Sequence, residues 1–412
     1  MLYLYRFLIN VTLVISPIIF IYRLIKRKET LRSYKQKIGF INKKKIKKKL
    51  IWFHGASVGE FQSVVPLLEK FEKSNLVDQI LITSNTLSSS EVIKKYKFKK
   101  IVHHFYPLDT NFNSKKFIDY WQPSKVFFID SEIWPNMIIN LKNKKIPIIL
   151  INARITKKTF NRWINLNYFA KNIFSKFNLC LPSNKETLNY LKLLGAKKIK
   201  FIGNLKYSQS ENKIPKISQR LKKFFDKKKI WCASSTHESE ELLCARAHIH
   251  LKKKFKNLVT IIVPRHIERS EEIKKDLEKL KLNVHLDETN HKIRSNTDIY
   301  LVNSYGKTKI FFRLVKTVFL GGSFIEHGGQ NPLEATRFGC NVLSGPHVGN
   351  FNEIYQFLEK KKISQQITNQ KELIKKLNYL FKSNIKANKM NLKLKLLGKK
   401  ILKQTFSEIN IY

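Results

Sequence analysis

The chain contains 412 residues, with 79 Lys and Arg against 30 Asp and Glu, so its formal net charge is +49. Hydrophobic residues make up 43% and aromatic residues 12%, which excludes a disordered chain, and the length suffices for two or three domains. The charge favours a polyanionic neighbour: nucleic acid, an anionic membrane face or a phosphorylated substrate. No CxxC pair or cluster with His occurs among the cysteines, so we expect reduced, buried thiols at Cys180, Cys232, Cys244 and Cys340.

The N-terminus is apolar. Residues 7–22 carry no charge, and the basic segment 23–28 follows at once. Extended back past Arg6, the apolar stretch reaches the ~20 residues that span a bilayer. It lacks the clear n-region and small-residue cleavage site of a signal peptide, and the basic flank places the rest of the chain on the cytoplasmic side. We predict a membrane-anchor helix at 1–28, with a signal peptide and a buried helix as alternatives.

From residue 50 onward, apolar runs alternate with segments of helical spacing, as in a mostly parallel α/β sheet. The strand-like runs of the first half are LIWFHGAS (50–57), QILITSNT (79–86), KVFFIDSEIWPN (125–136) and IPIILINARI (146–155). A second set comprises KIWCASST (229–236), LVTIIVPRH (258–266), DIYLVNS (298–304), TVFLGGS (317–323) and CNVLSGP (340–346). Polar residues follow these runs, at the strand ends where open α/β sheets bind ligands.

These patterns predict two Rossmann-like α/β domains that face a cleft, preceded by the anchor helix. The first domain spans residues 29–208 and the second spans 229–385. The polar and basic segment 209–228 predicts a linker. The Lys-rich segment 386–412 predicts a basic helix that covers a domain surface or lies against a membrane.

Glycine is scarce, and its distribution marks one segment. Seven of the 14 glycines fall between residues 321 and 349. A chain that avoids glycine keeps it where the backbone needs a positive φ or where a ligand approaches closely. This window is therefore the first candidate for a binding site.

The segment FLGGSFIEHGGQNPLE (319–334) predicts a strand, a glycine turn and a helix. The strand ends at Gly322, and the helix opens at Gly329 with Asn331 and Glu334 in its first turn. Free amides at a helix N-terminus bind phosphate, and a glutamate one turn in can accept hydrogen bonds from ribose hydroxyls. This arrangement is typical of the donor site of a two-domain glycosyltransferase. The absence of GxGxxG and GxxxxGK[ST] argues against hydride transfer and P-loop chemistry.

Three further polar segments follow predicted strands. Glu60 starts the helix after the turn HGASVGE and is a candidate general base; the simpler interpretation is a glutamate that satisfies free helix amides. Asp130 and Glu132 lie at the tip of an apolar strand, and their i, i+2 spacing predicts that both point the same way. Arg265 suits a phosphate, and a surface arginine is an equally good interpretation. Lys206 ends the last predicted strand of the first half and would face the cleft.

Nine segments resemble, in family order, the 3-deoxy-D-manno-octulosonic acid (Kdo) transferases, which build the inner core of lipopolysaccharide. These segments are IWFHGASVGE, FYPLDTNF, SEIWPN, INARIT, GNLKYS, CASSTHESEE, VPRHIER, FLGGSFIEHGGQNPLEA and GPHVGNF. The resemblance implies a glycosyltransferase B fold with an acceptor domain at 29–208 and a CMP-sugar donor domain at 229–385. It also implies inverting transfer of Kdo from CMP-Kdo to a lipid A precursor (lipid IVA), with neither a metal nor another cofactor.

The resemblance further implies roles for individual residues. It places the general base at Glu60 and transition-state stabilisation at Asp130, Glu132 and Lys206. It places donor contacts at Pro264, Arg265, Tyr305, Gly306, Lys307, Gly322, Asn331, Pro332, Leu333 and Glu334, with Ser235 and Thr236 as further candidate phosphate contacts.

Three positions depart from the family pattern. Gln330 stands where the family has His, and it keeps a hydrogen-bond donor but cannot be cationic. Asp130 is the shorter member of a pair that is Glu-x-Glu in the family, so either Asp130 or Glu132 takes the family role. Lys307 stands where the family has Glu in the turn near the nucleotide, which leaves only the backbone contact.

The implied partners are CMP-Kdo, the bisphosphorylated lipid and the inner membrane, with one N-terminal anchor, the catalytic domains on the cytoplasmic side and no nucleic acid. Two alternatives are a glycosyltransferase B enzyme that uses a UDP-sugar on a lipid, and a basic nucleic-acid-binding protein. Against the latter, Lys is spread along the whole chain without a nucleic-acid-binding module. The charge also fits an enzyme held against an anionic bilayer, where each nearby Lys or Arg adds up to about 1 kcal/mol of attraction.

Overall fold

A computed structural model describes residues 1–41, 45, 49–209, 217–288, 292–383 and 388–412, except for the side chains of 388–392. The chain forms two compact units, Met1–Ser210 with Leu397–Tyr412, and Glu211–Leu396. The domain limits 29–208 and 229–385 stay predictions. Within the predicted linker, 210–216 lie outside the described residues.

In the described part of the first unit, one sheet contains β1 (Leu50–His54), β2 (Gln79–Ser84), β3 (Ile101–Phe105), β4 (Lys125–Ile129), β5 (Ile148–Ala153) and β6 (Leu179–Pro182). Neighbouring strands are parallel, in the order β3-β2-β1-β4-β5-β6. The helices are α1 (Leu2–Ile25), α2 (Leu31–Lys37), α3 (Val58–Lys73), α4 (Leu87–Lys95), α5 (Asn111–Trp121), α6 (Pro135–Asn143), α7 (Lys157–Ile164), α8 (Asn167–Phe174), α9 (Lys185–Leu193) and a 3-10 helix at Leu205–Ser208.

The described part of the second unit also contains one parallel sheet. Its strands are β7 (Lys229–Thr236), β8 (Leu258–Pro264), β9 (Val284–Leu286), β10 (Ile299–Leu301), β11 (Thr317–Leu320), β12 (Asn341–Ser344) and β13 (Ser364–Gln366), in the order β13-β12-β11-β7-β8-β10-β9. The helices are α10 (Gln219–Phe225), α11 (Glu240–Lys252), α12 (Ser270–Lys279), α13 (Thr308–Leu314), α14 (Leu333–Arg337), α15 (Asn352–Lys360), α16 (Gln370–Lys382), α17 (Asn388–Ile409), which continues into the first unit, and 3-10 helices at Ile267–Arg269 and Gly349–Phe351.

The sequences of the strands are runs of apolar residues because helices cover both faces of each sheet. In β1, Trp52 packs into the core on one face of the sheet and Phe53 into the core on the other. Phe128 and Phe127 of β4 divide in the same way. This alternation buries successive side chains on opposite faces, so the strand interiors are mostly apolar and many of the polar groups lie at the strand ends.

Each of the nine strand-like runs given with its residue range in the sequence analysis contains a strand, and the predicted α/β class is confirmed. The sequence pattern missed β3, β6, β9 and β13, and two of these contain only three residues. The predicted linker contains helix α10. The four cysteines are free and buried, as expected.

The prediction that a strand ends at Lys206 is wrong. The last strand of the first sheet is β6, and Ile199 forms only an isolated bridge with Cys180. Gly203 has a φ of +126°, which turns the chain out of an extended conformation. Lys206 therefore lies in the 3-10 helix, whose start is held by a hydrogen bond from the Leu205 N–H to the Asn152 side chain at 2.8 Å.

The apolar N-terminus forms helix α1, which is long and apolar enough to cross a membrane, with a mean hydropathy of 2.1. One side of it contacts the first unit: Ser16 lies 3.3 Å from the Tyr34 hydroxyl, and the rings of Phe20 and Tyr34 stack at 4.2 Å. The other side is apolar and exposed, with Val14 at 78% and Ile18 at 72%. Helix α1 is thus a candidate anchor that is also docked on its own domain.

The C-terminal helix covers a surface of the first unit. Ile401 and Ile409 are buried in the core that contains α3, and the Lys125 ammonium donates to the Ile409 carbonyl at 2.6 Å. Residues 386 and 387 of the predicted helix lie outside the described residues. The sequence predicted a helix that either covers a domain surface or lies against a membrane. The last turns of α17 cover a domain surface.

We expect Gly398→Ala to destabilise the first unit. A Cβ at position 398 collides with the backbone of Tyr207 and Ser208 in the 3-10 helix, and such overpacking costs about 1–3 kcal/mol. Gly59→Ala is the matched control, because a Cβ there meets no atom within 4 Å and alanine favours helix α3. Urea unfolding measures both; equal stability of the two variants would contradict the packing of α17.

Candidate functional site

Glu60 lies in the first turn of α3, directly after β1. Its Oε2 accepts the Ala56 N–H at 2.7 Å, and its Oε1 accepts the Ser57 hydroxyl at 2.7 Å. A Cβ on Gly55 would lie 3.3 Å from Glu60 Oε2, so glycine leaves room for this carboxylate. The backbone amide that Glu60 satisfies is that of Ala56, which precedes the helix, whereas the simpler interpretation predicted a free amide of the helix itself. Each carboxylate oxygen still has a second lone pair that can accept a substrate hydroxyl.

The surroundings raise the pKa of Glu60 above its ordinary value. Burial is the main cause, and the charge of Glu132 adds to it. The hydrogen bonds from Ser57 and Ala56 and the charge of His54 oppose the rise. A raised pKa makes a carboxylate a stronger base near neutral pH.

Asp130 follows β4 with a φ of +61°, a left-handed conformation in which Asp is tolerated. The strand ends at Ile129, so the prediction that Asp130 and Glu132 point the same way by strand alternation is wrong; both lie in the turn before α6. Burial raises the pKa of Asp130 to about 7, and the charge of Glu60 adds to it, while Lys206 and Arg154 oppose it.

Glu132 is held by two partners. Its Oε2 lies 3.0 Å from His54 Nε2 and accepts the Trp134 indole N–H at 2.9 Å. Burial raises the pKa of Glu132, but the hydrogen bond and charge of His54, with the Trp134 hydrogen bond, outweigh it and leave the pKa lowered. The two acids of this turn thus titrate differently, Asp130 near neutrality and Glu132 below its ordinary range.

Lys206 joins this group from the 3-10 helix. Burial lowers its pKa, the charges of Asp130 and Glu60 oppose this, and Arg154 adds to it. These interactions bring Glu60, Asp130 and Lys206 into one cluster. Arg154 directly follows β5. The sequence analysis did not predict it as a site residue, although it follows a strand just as Asp130 does. His54, the last residue of β1, was also not among the predicted site residues.

In the second unit, a buried glutamate shapes the glycine-rich segment. Glu240 accepts the N–H groups of His237 at 2.9 Å and of Gly322 at 2.7 Å through Oε2. Its Oε1 accepts the N–H groups of Ser323 at 3.1 Å and Phe324 at 3.0 Å. Glu240 therefore fixes the turn after β11 against the start of α11. The sequence reasoning did not single it out.

Arg265 follows the buried Pro264 at the end of β8, and its side chain is exposed. Its backbone N–H donates to the Thr236 carbonyl at 2.9 Å. Ser235, beside the buried Thr236, has a φ of +57°. The predicted contacts Arg265, Ser235 and Thr236 thus share one edge of the sheet. Gly322, with a φ of +65°, follows the neighbouring strand β11.

Three histidines that were not predicted lie at this edge. The ring centroids of His237 and His327 are 4.6 Å apart, and those of His237 and His266 are 5.8 Å apart. Burial lowers the pKa of His237, and the charges of His327, His266 and Arg265 contribute, against Glu240. His327 lies three residues before Gln330, the position where the family pattern has its histidine.

The side chain of Lys307 forms ion pairs with two acidic residues. Its ammonium lies 2.6 Å from Asp287 Oδ2 and 3.0 Å from Glu288 Oε1. The neighbouring Tyr305 is exposed and donates to Glu268 Oε1 at 2.8 Å. Gly306, between them, has a φ of +84°, which leaves its backbone as the candidate donor contact.

The helix predicted to carry Asn331 begins later than expected. Helix α14 starts at Leu333, and Pro332 precedes it. Asn331 therefore lies before the helix, where its Oδ1 accepts the Leu333 N–H at 3.1 Å. Glu334 is in the first turn, as predicted, and lies 3.8 Å from the Lys309 ammonium. Among the residues that the structure describes, no group of three or more His, Cys, Asp or Glu side chains could hold a metal ion.

Comparison with known proteins identifies the family of the chain. The family described as 3-Deoxy-D-manno-octulosonic-acid transferase (kdotransferase) matches residues 32–209. The 3-deoxy-D-manno-octulosonic acid transferase of Haemophilus influenzae is 31% identical over 316 residues, which cover 75% of this chain and 73% of that protein. The 3-deoxy-D-manno-octulosonic acid transferase of Rickettsia bellii is 30% identical over 389 residues, which cover 93% of this chain and 92% of that protein.

Among solved structures, UDP-GlcNAc 2-epimerase from Neisseria meningitidis, bound to UDP-GlcNAc, has a TM-score of 0.60 and 15% identity, covering 88% of this chain and 99% of that chain. This likeness shows the fold alone, and it agrees with the two parallel α/β sheets. The chain has the two-domain glycosyltransferase B fold and belongs to the family of 3-deoxy-D-manno-octulosonic acid (Kdo) transferases.

Proposed function

We propose that the protein is an inverting glycosyltransferase that moves Kdo from CMP-Kdo to a lipid A precursor, lipid IVA, in the synthesis of the lipopolysaccharide core. Family membership supports the Kdo transfer. The observation that carries the mechanism is Glu60, a half-buried carboxylate with a raised pKa at the carboxyl edge of the first sheet. A group with these properties suits a general base for a sugar hydroxyl.

In the proposed reaction, Glu60 takes the proton of the acceptor's primary hydroxyl. The hydroxyl oxygen then forms a bond to the anomeric carbon of Kdo, on the face opposite CMP. The bond from that carbon to the CMP phosphate oxygen breaks, and its electron pair leaves with the phosphate. The anomeric configuration is inverted, and the proton remains on Glu60 until solvent removes it.

The other charges of the cluster stabilise the transition state in this proposal. The sugar ring develops positive charge as the bond to CMP breaks, and a carboxylate of the turn after β4, Asp130 or Glu132, offsets it. Glu132 is the better candidate for a permanent negative charge, because its pKa is lowered whereas that of Asp130 is about 7. Lys206 would attract the negative groups of the donor.

The second unit is proposed to bind the CMP part of the donor. Arg265 would pair with the phosphate through its guanidinium, helped by Ser235 and Thr236 at the same sheet edge. The backbone of Gly306 and Gly322 would approach the nucleotide closely. The contacts implied at Asn331, Pro332, Leu333 and Glu334 come from the family resemblance, and the reaction is proposed to need no metal or other cofactor.

We also propose that the protein is held at the cytoplasmic face of the inner membrane. The exposed apolar side of α1 would enter the lipid, and the basic segment 23–28 would lie at the anionic headgroups. The net charge of +49 supports the same placement near a bisphosphorylated lipid acceptor. Nucleic acid is not a proposed partner.

Mass spectrometry of the product tests the reaction. The full-length protein is incubated with a tetraacyl disaccharide bisphosphate and either CMP-Kdo or a UDP-sugar. We expect the acceptor to gain one or more Kdo units with CMP-Kdo and no mass with the UDP-sugar. Turnover with the UDP-sugar alone would refute the proposal.

Glu60→Gln should abolish most of the transfer. Glutamine keeps the size of the side chain but cannot take the hydroxyl proton, so we expect kcat to fall about 10²- to 10⁴-fold. Affinity for CMP, measured by calorimetry, should stay within twofold of the wild-type value. Glu91→Gln on the exposed face of α4 is the matched control. A Glu60→Gln enzyme that turns over like the control would exclude Glu60 as the base.

The pH profile should report the raised pKa of Glu60. Protonated Glu60 cannot act as a base, so kcat/KM should fall as the pH drops through that pKa. In Glu132→Gln the charge that helps to raise the Glu60 pKa is gone, so this acidic limb should move to lower pH. Glu186→Gln on α9 should leave the limb in place. If the acidic limb of the kcat/KM profile keeps the same midpoint pH in Glu132→Gln, Glu60 is not the group whose titration produces that limb.

Arg265→Ala should weaken donor binding. Loss of a charge-assisted hydrogen bond to phosphate costs about 1.5–3 kcal/mol, which is roughly a 10- to 100-fold rise in the Kd for CMP and for CMP-Kdo. Calorimetric titration measures both ligands. Arg246→Ala, at an exposed position on α11, is the matched control. Unchanged Kd values in Arg265→Ala would remove this residue from the donor site.

A further inference from the structure

The first turns of α1 make polar contacts that a simple membrane tether does not need. The Tyr5 hydroxyl donates to Asp109 Oδ2 at 2.7 Å. Arg6 Nε donates to Asn136 Oδ1 at 2.9 Å, and its Nη2 donates to Asn111 Oδ1 at 3.3 Å. These partners lie more than 100 residues away in the chain. They belong to the start of α5, the residues before it and the start of α6.

Asp109 caps helix α6 from a distance. Its Oδ2 accepts the Asn136 N–H at 2.9 Å, and its Oδ1 accepts the Met137 N–H at 2.9 Å. Its backbone carbonyl also accepts the Asn136 side-chain amide at 2.6 Å. The N-cap residue Trp134 gives no side-chain cap, and Pro135 has no N–H. The buried Asp109 is therefore what satisfies the first free amides of α6.

The start of α6 is directly connected to the acid-bearing turn, defined as residues 130–134. The Trp134 indole N–H donates to Glu132 Oε2 at 2.9 Å and lies 3.1 Å from His54 Nε2. The Trp134 ring also packs against Tyr106, with centroids 5.2 Å apart. Trp134, the residue before α6, thus links the Glu132 carboxylate to the helix whose first amides donate to Asp109.

We propose that Tyr5 and Arg6 of α1 are positioning residues for the acid-bearing turn. Tyr5 fixes the Asp109 carboxylate, and Arg6 fixes the Asn136 side chain, so both act on the start of α6 and through it on Glu132. The helix that carries the exposed apolar surface is then also part of the frame of the active site. This inference rests on the proposed function in assigning catalytic importance to Glu132.

The two faces of α1 separate the two roles. Tyr5 and Arg6 are half-buried on the domain, whereas the nearby Tyr3 is 83% exposed. A residue that only anchors the chain would affect membrane binding and leave turnover in detergent unchanged. A residue that positions Glu132 would affect turnover in detergent as well. Tyr3→Phe is therefore a matched control for Tyr5→Phe, because each removes one hydroxyl two residues apart on the same helix.

The test uses full-length Tyr5→Phe, Arg6→Ala, Arg6→Lys and Tyr3→Phe in detergent. In Tyr5→Phe and Arg6→Ala we expect kcat to fall about 10- to 100-fold while the KM for CMP-Kdo changes less than twofold. The acidic limb of kcat/KM should move to lower pH, as in Glu132→Gln, because a displaced Glu132 no longer raises the Glu60 pKa. Arg6→Lys keeps a donor and a charge and should recover part of kcat.

Hydrogen exchange gives a readout that does not depend on activity. The amides of Asn136 and Met137 donate to Asp109, so a peptide covering residues 130–140 should exchange faster in Tyr5→Phe and Arg6→Ala, but not in Tyr3→Phe.

Unchanged kcat in both Tyr5→Phe and Arg6→Ala would overturn the proposal, whatever the exchange shows. If the wild-type protein transfers no Kdo, the proposed function fails, and the exchange rates alone decide whether α1 holds the turn.

Discussion

The structure of the first unit depends on keeping three carboxylates, Glu60, Asp130 and Glu132, at one edge of a parallel sheet. Each is partly removed from water, and burial raises the pKa of all three before their partners act. Removing a charge from water costs several kcal/mol unless hydrogen bonds or opposite charges compensate. Each acid has a different compensation. Amide and hydroxyl donors bind Glu60, His54 and Trp134 bind Glu132, and the charges of Lys206 and Arg154 oppose the shift at Asp130. These differences separate the pKa values, which suits chemically similar side chains to the different roles proposed for them.

The second unit uses a buried carboxylate in another way. Glu240 accepts four backbone N–H groups, so its oxygens are occupied by the turn that they shape. Glu60 accepts one N–H and one hydroxyl and keeps capacity for a substrate. Both glutamates follow a buried parallel strand at the start of a helix, where the macrodipole favours a negative charge. Local sequence does not distinguish them. The difference comes from the number of backbone donors that the neighbouring turn, 322–324, presents to Glu240.

The sequence predicted most of the sheets because both faces of each are buried and the strands are therefore apolar runs. It missed β9 and β13, since three residues are too few for a pattern. It located Glu60 and the acid pair by their position after strands, and Arg154 shares that position. It failed at Lys206 and Asn331, where a positive φ at Gly203 and a proline cap at 332 move the chain out of the expected element. Contacts such as that between Tyr5 and Asp109 join residues 104 apart and leave no local pattern.

Such a long-range contact changes how the N-terminal helix contributes to the protein. Hydropathy alone describes α1 as an anchor, because its exposed side is apolar and its basic flank suits anionic headgroups. Its polar residues near the N-terminus serve the domain instead, since they support the carboxylate that caps α6. In the proposed arrangement, the apolar side of α1 meets lipid and its polar side meets the start of α6, so the seating of α1 on the domain would affect the position of Glu132. The geometry of the acid-bearing turn would then depend on how α1 is seated on the domain, and under the proposed membrane placement the same helix would also bring the enzyme to its lipid acceptor.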